Sequence, residues 1–311
     1  MNIVEELNSL VVTQGKLKVL NDFYINKDLL GKFNVTNNKE LVLCYSVFGQ
    51  MSYLKLLFFS LLTQYTFTDI VNYNIKIFVE EYWHPKVEEL LGDIIGSSNI
   101  IKMPQGLCYK HHVVNHSSIK DYEVVVINDT DSFVLSDKFN SNIYSDIYNY
   151  HHQNTDTAMF AFRGKQSRQS YNAAFKNLNP NNIEYKDYRD IFSLTENYLD
   201  EVKWFHSCHF SYNSSIFNKS DIDKILWSDL ILDASFARAQ CDETVFITGL
   251  NKLNKNMGTI NHYMEHTEVN DNLNNLDGYK LVHPLIGRYS DKEISSVFFK
   301  HIINKALEYN E

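Results

Sequence analysis

VVVINDTDSFVLSDKFN, residues 124–140, passes through four apolar residues to Asn128, then sets Asp129, Thr130 and Asp131 in a row before Phe133, Val134 and Leu135. A short continuous apolar run bounded by polar residues is the pattern of a strand buried on both faces. Two carboxylates one residue apart at its end repel each other. A metal, a set of strong hydrogen bonds or water must offset that repulsion. Residues two apart in extended chain point to the same side, with Cα atoms about 6–7 Å apart. A tight turn after the strand would bring both carboxylates to one small hard cation. Mg²⁺ and Mn²⁺ take one or two carboxylates together with phosphate oxygens and waters. The competing reading is an ordinary Asp- and Asn-rich turn.

Upstream, LVLCYSV (41–47), IKIFVEE (75–81) and NIIKMP (99–104) read as strands, with residues 122–128 as the most hydrophobic of all. Helices are predicted over 52–66, with Ser52 as N-cap, and from Pro85 to about 94, where proline fits the first turn. This β-α-β alternation implies an α/β fold with a mostly parallel, Rossmann-like sheet flanked by helices. Ligands of such sheets bind beyond the carboxyl ends of the strands. Tyr45–Ser46 and Asp129–Asp131 both lie at such ends. Residues 1–38 read as an N-terminal helical extension and 105–118 as a loop. Downstream come predicted strands at 157–164 and 209–218. Helices are expected near 167–177, 194–204 and 221–236, one from Glu243 with Asp242 as its cap, and a closing helix at 295–310.

At 311 residues, 44% hydrophobic and 22% charged, the chain suits a single large domain. A net charge of −9 argues against a nucleic-acid surface, which needs clustered Lys and Arg. Cys44, Cys108, Cys208 and Cys241 are widely spaced without a CxxC, which points away from zinc or a disulfide framework and toward a reducing, cytoplasmic compartment. The start MNIVEELNSL lacks the basic and apolar regions of a secretory signal. YLKLLFFSLLTQYTF is interrupted by Lys55 and Gln64 and is too short to span a bilayer, so a buried helix is expected.

The layout over roughly residues 40–295 resembles the nucleotide-sugar glycosyltransferases of the GT-A type, and particularly their glycogenin-like branch. VVVINDTDSFVLSDKF is similar to that branch's strand, DxD motif and following segment, and LCYSVFGQMSYLKLLFFSLLTQ to its first strand and helix. YNSSIFNKS (212–220) resembles its FNSGVFV strand, CDETVF (241–246) stands at the place of GDQ, and HPLIGRYSDK (283–292) is similar to its C-terminal His-Gly-Lys segment. The resemblance implies a GT-A catalytic domain over 39–295, with 141–205 as an acceptor-side insertion and 296–311 as a C-terminal helix. It implies Mn²⁺ or Mg²⁺ held by Asp129, Asp131 and His283, and a nucleotide-sugar donor, UDP-linked, contacted by Asp129, by Tyr45 and Ser46 near the base, and by Lys292 at the diphosphate. Asn213 and Asp242 would lie near the transferred sugar. Ser215 stands where the branch has Gly and Glu243 where it has Gln. The spacing from Gly287 to Lys292 is longer and no Pro-Trp follows, which leaves Arg288 as the alternative phosphate contact.

The expected activity is hexosyl transfer to a glycan, protein or other hydroxyl acceptor, with retention. Were the reaction inverting, Asp242 or Glu243 would be the base. Three other readings stay open: a haloacid-dehalogenase-like phosphatase with Asp129 as nucleophile, a nucleotidyltransferase, and a catalytically silent carbohydrate-binding protein. Phe133 departs from the phosphatase pattern, and no Gly-rich basic loop follows the first strand. His283 also fits a structural role and Asp242 a plain helix cap. Assembly is open, a homodimer included.

Overall fold

The run LVLCYSV forms strand β1 (Leu41–Val47), buried along its whole length. It lies between β2 (Asn74–Glu80) and β4 (Val124–Asn128), both parallel to it, and β3 (Ile100–Met103) adds to β2 in parallel. The computed structural model describes residues 1–13, 16–33, 37–106, 110–114, 116–134, 142–162, 206–215, 256–259, 263–264, 281–282 and 294–310.

On the other side of β4 one strand of the sheet is reversed. β7 (His206–Asn213) is antiparallel to β4, β6 (Thr157–Phe162) is antiparallel to β7, and β8 (Asn256–Thr259) is parallel to β6. Among the described residues the sheet has the order β3-β2-β1-β4-β7-β6-β8, and β5 (Phe133–Val134), β10 (Leu281–Val282) and β9 (Tyr263–Met264) form a small second sheet. The expected α/β architecture with a mostly parallel sheet flanked by helices is the one observed.

Helix α2 (Ser52–Phe67) follows β1 and buries almost its whole surface. Leu41, Leu43, Tyr45, Val124 and Val126 meet it on one face of the sheet, together with Tyr144 of α5 (Ile143–Gln153). The N-terminal residues share this core: Ile3 and Leu7 of α1 (Ile3–Ser9) belong to it, and Phe23 packs edge-on against Phe59 at 5.7 Å. Ile302 and Ile303 of the C-terminal helix α6 (Ile294–Asn310) complete it. Helix α3 (His84–Ile95) starts with Pro85 in its first turn and stops at Gly96, which takes φ +83°.

The alternate residues Val42, Cys44, Val125 and Ile127 are equally buried, on the opposite face. That face is covered by residues expected to form a loop. Helix α4 (Lys110–Val113) and a 3₁₀ turn (Ser117–Ile119) lie there, with Val113 and Ile119 buried. Tyr212 donates to the carbonyl of Val114 at 3.3 Å, and His116 packs on Phe78 at 5.2 Å. Two further expectations change. Met51, not Ser52, is the N-cap of α2 and makes no side-chain capping bond. The strand expected at 209–218 instead runs from His206 to Asn213. The helices expected at 167–177, 194–204, 221–236 and from Glu243 lie outside the described residues.

Candidate functional site

The apolar run of β4 ends on Asn128, which is fully buried, and the chain turns at once: the Ser132 amide donates to the Asp129 carbonyl at 3.1 Å. Within that turn Thr130 and Ser132 point inward and are buried, whereas Asp129 and Asp131 are partly exposed. The two carboxylates therefore share the outer side of one tight turn at the carboxyl end of the strand, as period-two spacing requires.

The turn is fastened from beneath by α2. Ser60, Thr63 and Gln64 share a face of this helix at i, i+3 and i+4, and all three are buried. Ser60 Oγ donates to the Ser132 carbonyl at 2.5 Å, and the Val134 amide donates to Thr63 Oγ1 at 3.1 Å. Gln64 Oε1 accepts from the Tyr144 hydroxyl at 2.7 Å. Tyr45 Oη lies 3.0 Å from Ser60 Oγ. Since the single hydroxyl hydrogen of Ser60 goes to the carbonyl, the phenol is the donor of that second bond. Burial pushes the Tyr45 phenol up to about 12, with its hydrogen bonds opposing the rise only in part.

Beside the turn stands a cation that sequence reasoning missed. Lys110 of α4 is buried, and its Nζ lies 2.6 Å from Asp129 Oδ1. A buried ammonium needs such a partner. Part of the charge problem posed by two adjacent carboxylates is thus met by the protein itself. The only signal was a lone Lys in YKHH, residues 109–112. Register adds one more neighbour, because Tyr45, Asn128 and His209 pair across three strands. His209 Nδ1 and Asn128 Oδ1 are hydrogen-bonded. Burial, aided by the charge of Lys110, pushes the imidazole down to about 3, which keeps it neutral.

The other expected residues fall differently. Tyr45 is completely buried and Ser46 nearly so. Tyr45 serves the turn. Asn213 pairs with Val124 at the opposite end of β4 from Asn128, about 13 Å along the strand, and its Oδ1 accepts from the amide of Ser215 at 3.0 Å. An antiparallel β7 carries its last residue away from the carboxylates. Asp242, Glu243, His283, Arg288 and Lys292 lie outside the described residues. Among the described residues no group of three or more His, Cys, Asp or Glu could hold a metal. Asp129 and Asp131 fit a hard divalent ion that draws its remaining oxygens from water and ligand.

No family model matches the chain, and no curated protein is similar to it in sequence. Solved structures similar to it include the galactosyltransferase LgtC in complex with donor and acceptor sugar analogues, at 12% identity over 86% of this chain and 95% of that one, TM-score 0.46. The mannosyltransferase Ktr4p from S. cerevisiae is 11% identical over 98% and 97%, TM-score 0.43. A 4-diphosphocytidyl-2C-methyl-D-erythritol synthase from Anaerococcus prevotii is 10% identical over 87% and 96%, TM-score 0.44. With these scores below 0.5, the chemistry of the site rests on its own geometry.

Proposed function

We propose that the chain is a divalent-metal-dependent glycosyltransferase of the GT-A type, transferring a sugar from a nucleotide diphosphate-sugar, UDP-linked, to a hydroxyl of a glycan or protein, with retention. The observation that carries this reading is the pair of outward carboxylates on one turn at the ligand-bearing edge of a mostly parallel sheet, with Lys110 buried against the first of them. Asp131 and the other carboxylate oxygen of Asp129 would hold Mn²⁺ or Mg²⁺. When bound, the ion supplies positive charge to the leaving diphosphate. Lys110 adds a fixed positive charge at Asp129 and holds that carboxylate in place. His209, neutral and buried behind Asn128, supports the last residue of β4 without bringing charge to the site. His283, Arg288, Lys292, Asp242 and Glu243 remain the proposed further ligand, diphosphate contacts and sugar-side residues.

The test is a thermal-shift panel of nucleotide-sugars with and without Mn²⁺. A ligand at 100 times its Kd stabilises by roughly 2.7 kcal/mol. The expected result is a rise in Tm with a UDP-sugar only when Mn²⁺ is present. No rise with any nucleotide-sugar, or an equal rise without metal, would overturn the reading.

A further inference from the structure

We propose that Tyr45 and Ser60 are positioning residues for the carboxylate turn: a buried hydroxyl chain from β1 through α2 to the Ser132 carbonyl sets where Asp129 and Asp131 stand. The inference rests on the metal-site reading and deepens it.

Among the polar side chains that this largely apolar helix buries, Ser60, Thr63 and Gln64 share one face, and two of them, Ser60 and Thr63, end on the backbone of residues 132–134. Burying a hydroxyl is costly unless it is hydrogen-bonded. Here each hydroxyl reaches across more than seventy residues of chain to the segment that closes the turn. The Ser132 amide is bonded back to Asp129, so both ends of the turn are tied to one residue whose carbonyl Ser60 holds. The Ser60 hydroxyl oxygen is in turn fixed by the Tyr45 phenol, and Tyr45 is locked in the core beside Asn128. Groups that orient metal ligands in this indirect way commonly change metal affinity 10- to 100-fold when removed. The chain ends on a main-chain carbonyl, so it acts on both carboxylates together.

The experiment titrates Mn²⁺ alone, read by electron paramagnetic resonance of the free ion, against the wild type, Asp131→Ala, Ser60→Ala, Tyr45→Phe and Thr66→Ala. Thr66 is the control: it lies on the same helix, but its hydroxyl bonds Leu62 and Asn310, away from the turn. Urea unfolding of every variant accompanies the titration. Mn²⁺ affinity is expected to fall about 10-fold in Ser60→Ala and Tyr45→Phe, and to stay at the wild-type value in Thr66→Ala despite a comparable loss of stability. Equal affinities in Tyr45→Phe, Ser60→Ala and Thr66→Ala would overturn the positioning role while leaving the metal site standing. A wild type that binds Mn²⁺ no better than Asp131→Ala would overturn the metal-site reading and this inference with it. Should Ser60→Ala fail to fold, the milder Tyr45→Phe carries the same comparison.

Discussion

The ammonium of Lys110 lies 2.6 Å from Oδ1 of Asp129, with the lysine side chain 7% exposed and the aspartate 29%. The first carboxylate of the turn thus carries its own counter-charge, and the second stands outward beside it. Replacing Lys110 by Met leaves Asp129 half-buried without that partner. A hydrogen bond to a charged group contributes about 1.5–3 kcal/mol, and urea unfolding of Lys110→Met should show a loss in that range. Asp129→Asn in the Lys110→Met background should cost less than the two changes summed, because the charge that Lys110 balances is then gone. Additive losses would show that the pair is not coupled.

Asp131 separates function from stability. It sits on the outer side of the turn, so Asp131→Ala should leave unfolding within about 1 kcal/mol of wild type. The same variant should lose Mn²⁺-dependent UDP-sugar hydrolysis and transfer to background, measured by release of UDP. Retained activity would remove the metal from Asp131.

What was legible in the sequence follows from range. β1 and β4 are continuous apolar runs, a local pattern, and both form where expected. The outward placing of Asp129 and Asp131 also needs only period-two geometry. Lys110 was invisible because its partner lies nineteen residues on, across a loop whose path only packing determines. Ser60 and Thr63 had no local mark in the sequence of α2, because their partners come from the segment of residues 132–134 laid against the helix. The end of β4 at which Asn213 stands was not legible, because a motif gives residues but no strand direction, and β7 runs opposite to β4.

Acid should weaken the seam between α5 and β7. His151 is buried, its Nε2 lies 2.9 Å from Ser211 Oγ, and burial pushes the imidazole down to about 4. In the unfolded chain a histidine protonates near pH 6.5. Above that pH both states hold the neutral ring and the group adds no pH dependence. As pH falls from about 6.5 to about 4 only the unfolded chain takes up the proton, so stability declines by up to about 1.4 kcal/mol per pH unit. His151→Gln should flatten this part of the profile, measured by urea midpoints at pH 7.5, 6, 5 and 4.5. An unchanged slope would mean that His151 protonates in the folded protein without cost.

Helix α5 is anchored by a carboxylate from outside its own chain segment. Asp69 Oδ1 accepts from the Tyr144 amide at 3.0 Å, and Oδ2 accepts from the Ser145 amide at 3.0 Å and the Ser145 hydroxyl at 2.6 Å. Asn142 makes no capping bond, so Asp69 satisfies first-turn amides that would otherwise lack a side-chain partner, and its charge suits the positive end of the helix. Asp69→Ala should destabilise the fold by about 2–3 kcal/mol, combining a lost cap with lost bonds to a charged acceptor. Hydrogen exchange locates the effect: the Tyr144 and Ser145 amides should lose protection first, while those of β1 keep theirs. If Tyr144 and Ser145 stay protected in Asp69→Ala, the helix start is held by packing of Ile143 and Tyr144 rather than by the cap. In Asp69→Asn one acceptor oxygen survives, so one amide should recover its protection and the loss of stability should be smaller.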